Sequence, residues 1–304
     1  MMTTSLTRPA EELDTTVAAF RTDSLDTPPR RADAPAPETP RRITPGRVWK
    51  RLWPALLATG LVVGLWQVVF LTGWKPDYVL PSPAEVGGQL VAFLGEPKFW
   101  QALGNTLVRA LIGFTLALVI GTTVGIAVSA SRVLRSAIGS MLTGLQTMPS
   151  IAWFPFAILL FGLTENAITF VVVLGAAPSI ANGLISGIDE VPPPLLRTAT
   201  VLGARGFTLY RHVVLPAALP TYVAGLKQGW AFAWRSLMAG ELLVIIASKP
   251  SLGVQLQFYR EFANAPALLA TMIVVLVLGM VCDALFSKLS DVVRRNRGLG
   301  AIRL

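Results

Sequence analysis

The sequence has one cysteine, Cys282, and one histidine, His212. One cysteine excludes an internal disulfide framework, and one histidine leaves too few ligands for a zinc cluster. Cys282 stands among Met280, Val281, Ala284 and Leu285, the setting of a buried, inert thiol. His212, between Arg211 and Val213, reads as a solvated loop residue. Lysine is also scarce. None of the six follows a glycine, so the Gly-x-x-x-x-Gly-Lys-Ser/Thr phosphate loop is absent and this chain is not itself an ATPase. Charged residues make up 14% of the chain and hydrophobic ones 53%, the balance of a membrane protein. The formal charge of +9 comes largely from arginines in the N-terminal tail and near the ends of apolar runs. Without interleaved aromatics it suits a membrane surface and not a nucleic acid.

What is present is a succession of long apolar segments. Residues 1–46 mix Thr, Pro, Ala, Asp and Arg with no apolar period, which predicts a disordered tail. The tail has no apolar segment of the kind a secretory signal carries, so the first hydrophobic run is expected to be retained as an anchor. A bilayer core takes about 20 apolar residues per helix. Six runs meet that length, at about 53–72, 103–129, 137–162, 166–188, 219–246 and 266–289. The expected fold class is therefore an all-α integral membrane protein with six transmembrane helices. Its membrane domain covers 47–297, and a short C-terminal tail covers 298–304.

Arginine and lysine set the expected orientation. With the N terminus inside, the inner segments hold Arg47, Lys50, Arg51, Arg132, Arg135, Arg197, Arg205, Arg211 and Lys288 through Arg303. The outer segments hold only Lys75, Lys98, Lys249 and Arg260. Both termini are then cytoplasmic. Gly-x-x-x-Gly pairs at Gly60/Gly64, Gly121/Gly125, Gly183/Gly187 and Gly225/Gly229 suggest close helix packing, although each is also compatible with a merely tolerated glycine. Pro149, Pro155 and Pro178 fall inside apolar runs, where each either kinks a helix or opens its backbone toward a path.

The segment 192–216 is too polar to cross a membrane. After Pro192-Pro193-Pro194, the residues Leu195, Leu196, Ala199 and Leu202 follow helical spacing and predict a short amphipathic helix ending near Gly203 or Gly206. A second run, Phe207, Tyr210, Val213 and Val214, reaches Pro216. Such a pair either docks in a groove of another protein or lies in the headgroups. Ala199, three residues, Gly203, nine residues, Val213, one residue, then Leu215-Pro216 resembles the cytoplasmic signature of binding-protein-dependent ABC importer permeases. In that signature Glu and Ala stand where this chain has Arg197 and Thr198, and Ile where it has Val213. Leu80-Pro81-Ser82-Pro83, Met148 through Pro155, and Leu160-Phe161-Gly162 are similar to the branch that imports sulfonates, taurine and nitrate.

The resemblance implies a type I importer permease fold with a coupling helix between helices 4 and 5. On this view Ala199 and Gly203 permit close packing on an ATPase subunit, Leu215-Pro216 fixes the turn into helix 5, and Arg197 lies at the contact. It also implies two ATPase copies that bind the ATP and Mg, a second permease copy, an extracytoplasmic solute-binding protein and a location in the cell membrane. No cofactor, metal or catalytic residue is expected in this chain.

Charges inside a bilayer are costly and mark function by default. Lys227, Trp230, Trp234 and Glu241 fall on one stripe of the fifth run, with Arg235 beside it. They are the candidate wall of a translocation path for a small anion. Lys227 and Glu241 lie near helix ends, where either is able to reach water, and Arg109 reads as structural. Two other readings stand beside the importer. An ion-coupled secondary carrier calls for two similar halves, which the sequence does not display. An integral-membrane enzyme would have to rely on Asp189-Glu190, with no histidine next to them.

Overall fold

The structure, a computed structural model, describes residues 45–296. The expected N-terminal tail, apart from Pro45 and Gly46, and the expected tail at 298–304 lie outside the described residues. The chain divides into two compact units, Met1–Leu61 and Val62–Leu304. Of the first unit, the described part is the opening of α1 (Pro45–Leu71). The second unit holds the rest of the fold, and all its regular elements among the described residues are helical. They are α2 (Pro83–Leu94), α3 (Pro97–Ala130), α4 (Arg132–Thr147), α5 (Phe154–Phe161) and α6 (Glu165–Asp189). There follow α7 (Pro193–Val201), α8 (Gly206–Leu209), α9 (Leu215–Leu243), α10 (Leu252–Glu261) and α11 (Ala265–Asn296).

Among the described residues, four helices are long and apolar enough to cross a membrane: α1, α3, α6 and α11. A fifth span arises only if α4 and the 150–161 segment are taken together, and these are bent by 103°. This corrects the expectation of six spans in two places. The run at 137–162 is not one helix, because Pro149 forces Met148 out of helical geometry (ψ 127°) and α4 stops there. α9, at 29 residues, spans about 43 Å and is long enough. Its apolar character is diluted by Lys227, Gln228, Arg235 and Glu241, and it is not among the four.

The stretches that carried the branch resemblance prove to be changes of chain direction. Ser82 caps α2: its hydroxyl accepts from the Glu85 amide, and the Glu85 carboxylate accepts from the Ser82 amide. Met148-Pro149 makes the bend just described. Gly162, at φ +67°, ends α5 with its amide on the Ile158 carbonyl.

α6 is the centre of the unit, with residues from Ala167 to Gly187 buried on several of its faces, whereas α3 buries a single stripe that includes Ala110, Gly113, Ala117 and Gly121. Small residues let its neighbours in. A Cβ on Gly121 of α3 would lie 2.6 Å from the Ala177 carbonyl of α6, and one on Gly125 would lie 3.1 Å from the Ala181 carbonyl. On the other side, a Cβ on Gly183 would lie 2.6 Å from Gly225 Cα of α9, and one on Gly187 would lie 2.7 Å from the Ala218 carbonyl. Three of the four Gly-x-x-x-Gly pairs thus mark real backbone contacts, whereas Gly60 and Gly64 have nothing within 4 Å. Gly183→Val should destabilise the unit by about 1–3 kcal/mol, because the overlapping atoms are backbone and have no rotamer to move to. An unchanged melting temperature of the purified variant in detergent would contradict this.

A second cluster joins α2, the start of α3, α10 and α11 around Val86, Phe93, Phe99 and Leu252. Phe93 stacks on Phe99 at 5.3 Å and on Tyr259 at 6.1 Å. Burial, and secondarily Glu96, pushes the Tyr259 phenol above its ordinary pKa.

Candidate functional site

Three features of the second unit carry chemistry. The first is a buried charge cluster at the end where α6 begins and α9 finishes. Glu241 is fully buried and accepts hydrogen bonds from Arg109 Nη1 at 3.0 Å, Thr106 Oγ1 at 2.9 Å and the Gly253 amide at 3.0 Å. Arg109 also forks onto Glu165, with Nε at 2.8 Å and Nη2 at 2.7 Å, and Lys249 Nζ lies 3.5 Å from the same carboxylate. Thr106 Oγ1 in turn accepts from the Leu252 amide at 3.0 Å, and Asn105 donates to the Pro250 carbonyl at 2.8 Å. The cluster therefore fastens the chain between α9 and α10 to α3 and to the first residue of α6. Gly253 is needed at this place, since a Cβ there would meet Glu241 Cβ and come within 2.9 Å of its backbone carbon.

Glu241 had been expected on the stripe with Lys227, Trp230 and Trp234, within reach of water. It is instead sealed in this cluster. Fourteen residues of helix carry it about 21 Å along the axis from Lys227, into range of Arg109. Arg109, read from sequence as structural, forms ion pairs with Glu165 and Glu241. Thr106, Glu165, Lys249 and Gly253 were not singled out from sequence. The available signal was that Arg109 has no acidic neighbour on its own helix, while Glu165 and Glu241 sit at the matching ends of two others.

The second feature is a cavity of about 750 Å³ between α9, α10 and α11. Trp230 and Trp234 form one wall, stacked at 6.2 Å with 21° between their planes. Arg235 and Asp283 are its charged residues. Arg235 is exposed, lies 5.3 Å over the Phe232 ring, and forms no ion pair among the described residues. Lys227 reaches across to α11, where it lies 3.2 Å from Asp283 and donates to Ser287 at 2.9 Å. Of the five stripe residues, the structure thus gathers Lys227, Trp230, Trp234 and Arg235 and separates Glu241.

The third feature is the 192–216 segment, at the opposite ends of α6 and α9. Pro193 opens α7, and Gly203 closes it at φ +88°. The Gly203 amide bonds to the Thr200 carbonyl at 3.0 Å and the Ala204 amide to the Ala199 carbonyl at 2.9 Å, the paired bonds of a Schellman end. Among the described residues nothing lies within 4 Å of a Cβ added to Gly203, so here the glycine is required by backbone conformation and not by packing. Ala199 is buried and seats the segment, while Arg197 is exposed. Val201, Leu202 and Phe207 are 87%, 82% and 76% exposed. After α8 the chain widens into a π-helical turn, Tyr210–Val214, with the Leu215 amide on the Tyr210 carbonyl. Pro216 has no amide to give the His212 carbonyl and crowds it in a regular α-helix, and the wider turn relieves that conflict. Leu215 is exposed and Pro216 half-buried at the start of α9.

Residues 113–295 match the family described as binding-protein-dependent transport system inner membrane component. The chain belongs to this family. It is accordingly a membrane permease subunit of an ABC-type transporter and not the catalytic part, ATP hydrolysis residing in a separate subunit. It is 32% identical to the riboflavin transport system permease protein of Chloroflexus aurantiacus, over 78% of this chain and 90% of that one. With the taurine transport system permease protein of Escherichia coli K12 it shares 27% identity over 76% of this chain and 87% of that one. The inward-facing MetNI methionine ABC transporter has the same fold, with a TM-score of 0.55 at 21% identity, covering 65% of this chain and 98% of that chain. The matched region of this inner membrane component runs from Gly113 in α3 to Arg295 in α11, so it contains the cavity, the 192–216 segment, Glu165 and Glu241.

Proposed function

We propose that this chain, paired with a second copy, forms the translocation path of an ATP-driven importer and that its 192–216 segment is the part an ATPase subunit grips. The observation that carries this reading is a set of exposed apolar side chains on either side of Gly203, Val201 and Leu202 at the end of α7 and Phe207 in α8. Among the described residues nothing covers these three side chains, and burying them in a groove stabilises a complex by about 1.5–3 kcal/mol each. Ala199 is buried within the segment, Leu215-Pro216 carries it into α9 as the start of the lever arm, and Arg197 sits at the rim of the contact. ATP and Mg belong to the two ATPase copies. An extracytoplasmic binding protein delivers the solute, in keeping with the family's description.

In this reading α9 crosses the bilayer as a path-lining helix and α4 with α5 makes a broken span. Both termini are cytoplasmic, because the Lys and Arg of the joints cluster on the side of the 192–216 segment. Lys227, Trp230, Trp234 and Arg235 form the path wall, and the unpaired Arg235 favours a small anionic solute. Aliphatic sulfonates, taurine and nitrate are the class indicated by the sequence resemblance, and a taurine permease is among the relatives.

Copurification tests the core of the proposal. A tagged chain solubilised from its own cells should bring down a P-loop ATPase and support uptake that stops when ATP is depleted. Uptake that persists on a proton gradient alone would instead identify a self-sufficient carrier.

A further inference from the structure

We infer that the cavity between α9, α10 and α11 takes a planar aromatic acid, a ring system bearing one carboxylate or sulfonate, as the solute. This rests on the reading of α9 as the path wall, and it departs from the short sulfonates, taurine and nitrate that the sequence resemblance indicates.

The walls decide the class. A volume of about 750 Å³ is that of a site for a molecule of many atoms. Trp234 offers an aromatic surface, backed by the buried Trp230 ring stacked on it, and aromatic groups gain from stacking beyond the area they bury. Met238 lies one turn along α9 from Trp234, and Met272 and Met280 line the cavity from α11; their thioethers conform to flat rings and make favourable contacts with their edges. The charge on offer is single. Asp283 is engaged by Lys227 at 3.2 Å, while Arg235 has no carboxylate partner among the described residues. Its guanidinium is left to fork onto one anionic head group. The Trp230 indole N–H, buried at the same wall, also lacks an acceptor.

A nitrate ion or a short aliphatic sulfonate fits this site poorly. Either would give up a full hydration shell for one guanidinium and an apolar surface, and the lost hydrogen bonds are not replaced. An aromatic acid loses hydration at one end only, where Arg235 replaces it, and its ring has little hydration to lose.

Binding to the full chain in lipid nanodiscs tests the inference, with 2-naphthoate as probe and empty nanodiscs as the partitioning control. Naphthoate is expected to bind about tenfold or more tightly than hexanoate, which has the charge without the ring. The same margin is expected over 2-naphthamide, which has the ring without the charge. Arg235→Gln should erase the preference over the amide, and Trp234→Leu the preference over hexanoate. Equal binding of naphthoate and hexanoate would overturn the inference.

A separate arm tests the reading beneath it. In a Cys282→Ser background, Met272→Cys and Met280→Cys should react with a charged, water-soluble thiol reagent if the cavity belongs to an aqueous path. If both react and naphthoate shows no preference, the path stands and the solute class falls. If neither reacts, the cavity faces lipid, and the path reading falls together with the inference built on it.

Discussion

Glu241→Ala is expected to prevent the protein from accumulating in folded form. The substitution leaves Arg109 with one of its two carboxylate partners, and it leaves the Gly253 amide buried without an acceptor. Removing one partner of a buried ion pair costs about 3–5 kcal/mol, a large part of the stability of an ordinary domain. The measurement is the fraction of monodisperse protein on size-exclusion chromatography after detergent extraction, with its melting temperature. Arg109→Met combined with Glu241→Met should recover part of the loss, because an apolar pair of similar volume strands no charge between them. If Glu241→Ala were extracted and melted as the parent does, the cluster would not be what fastens the 244–253 chain to α3 and α6.

The second large effect concerns the proposed coupling segment. Leu202→Asp should abolish ATP-dependent uptake and loosen the ATPase subunit from the membrane while leaving the permease itself folded. Leu202 is 82% exposed, so nothing in this chain depends on its side chain, whereas a carboxylate forced into an apolar groove is left without its hydration. Gly203→Val should act in the same direction by another route: a β-branched residue at φ +88° opens the Schellman end and splays Val201 and Leu202 out of position. Both are read by counting ATPase copies per permease in purified complexes, alongside transport. Full transport by Leu202→Asp would remove the segment from the coupling pathway.

Much of this architecture was legible in the sequence, and the reasons differ by element. The 192–216 segment stood out because three prolines, a helical apolar period and a stop at Gly203 are local signals that tertiary packing did not override. The glycine pairs on α3, α6 and α9 were legible for a similar reason, since spacing alone determines which face a backbone can approach. What misled was hydropathy taken as a continuous run. The 137–162 stretch is apolar throughout, yet Pro149 denies Met148 a helical conformation, so composition predicted one helix where local sterics demand a sharp bend.

The opposite error hid α2 and α10. Their lengths of 12 and 10 residues are too short to register as spans, although Ser82 with Glu85 is a complete capping box and Ser251 caps α10 through the Val254 amide. The placement of Glu241 was out of reach for a further reason. Helical periodicity ranks residues by face, whereas the partner of a buried acid is fixed by which helix crosses at that height. Here the crossing brings in Arg109, 132 positions away in the chain.

The contact of Gly183 with Gly225 has a mechanical meaning. Two helices that meet through side chains can slip, since rotamers on either surface readjust as one slides past the other. Where bare main chain rests on bare main chain, no such cushion exists. If the 192–216 segment is the coupling element proposed above, a tug on it would swing α6 and α9 together as a single lever, delivering its displacement undiminished to the far end where Arg109 grips them both.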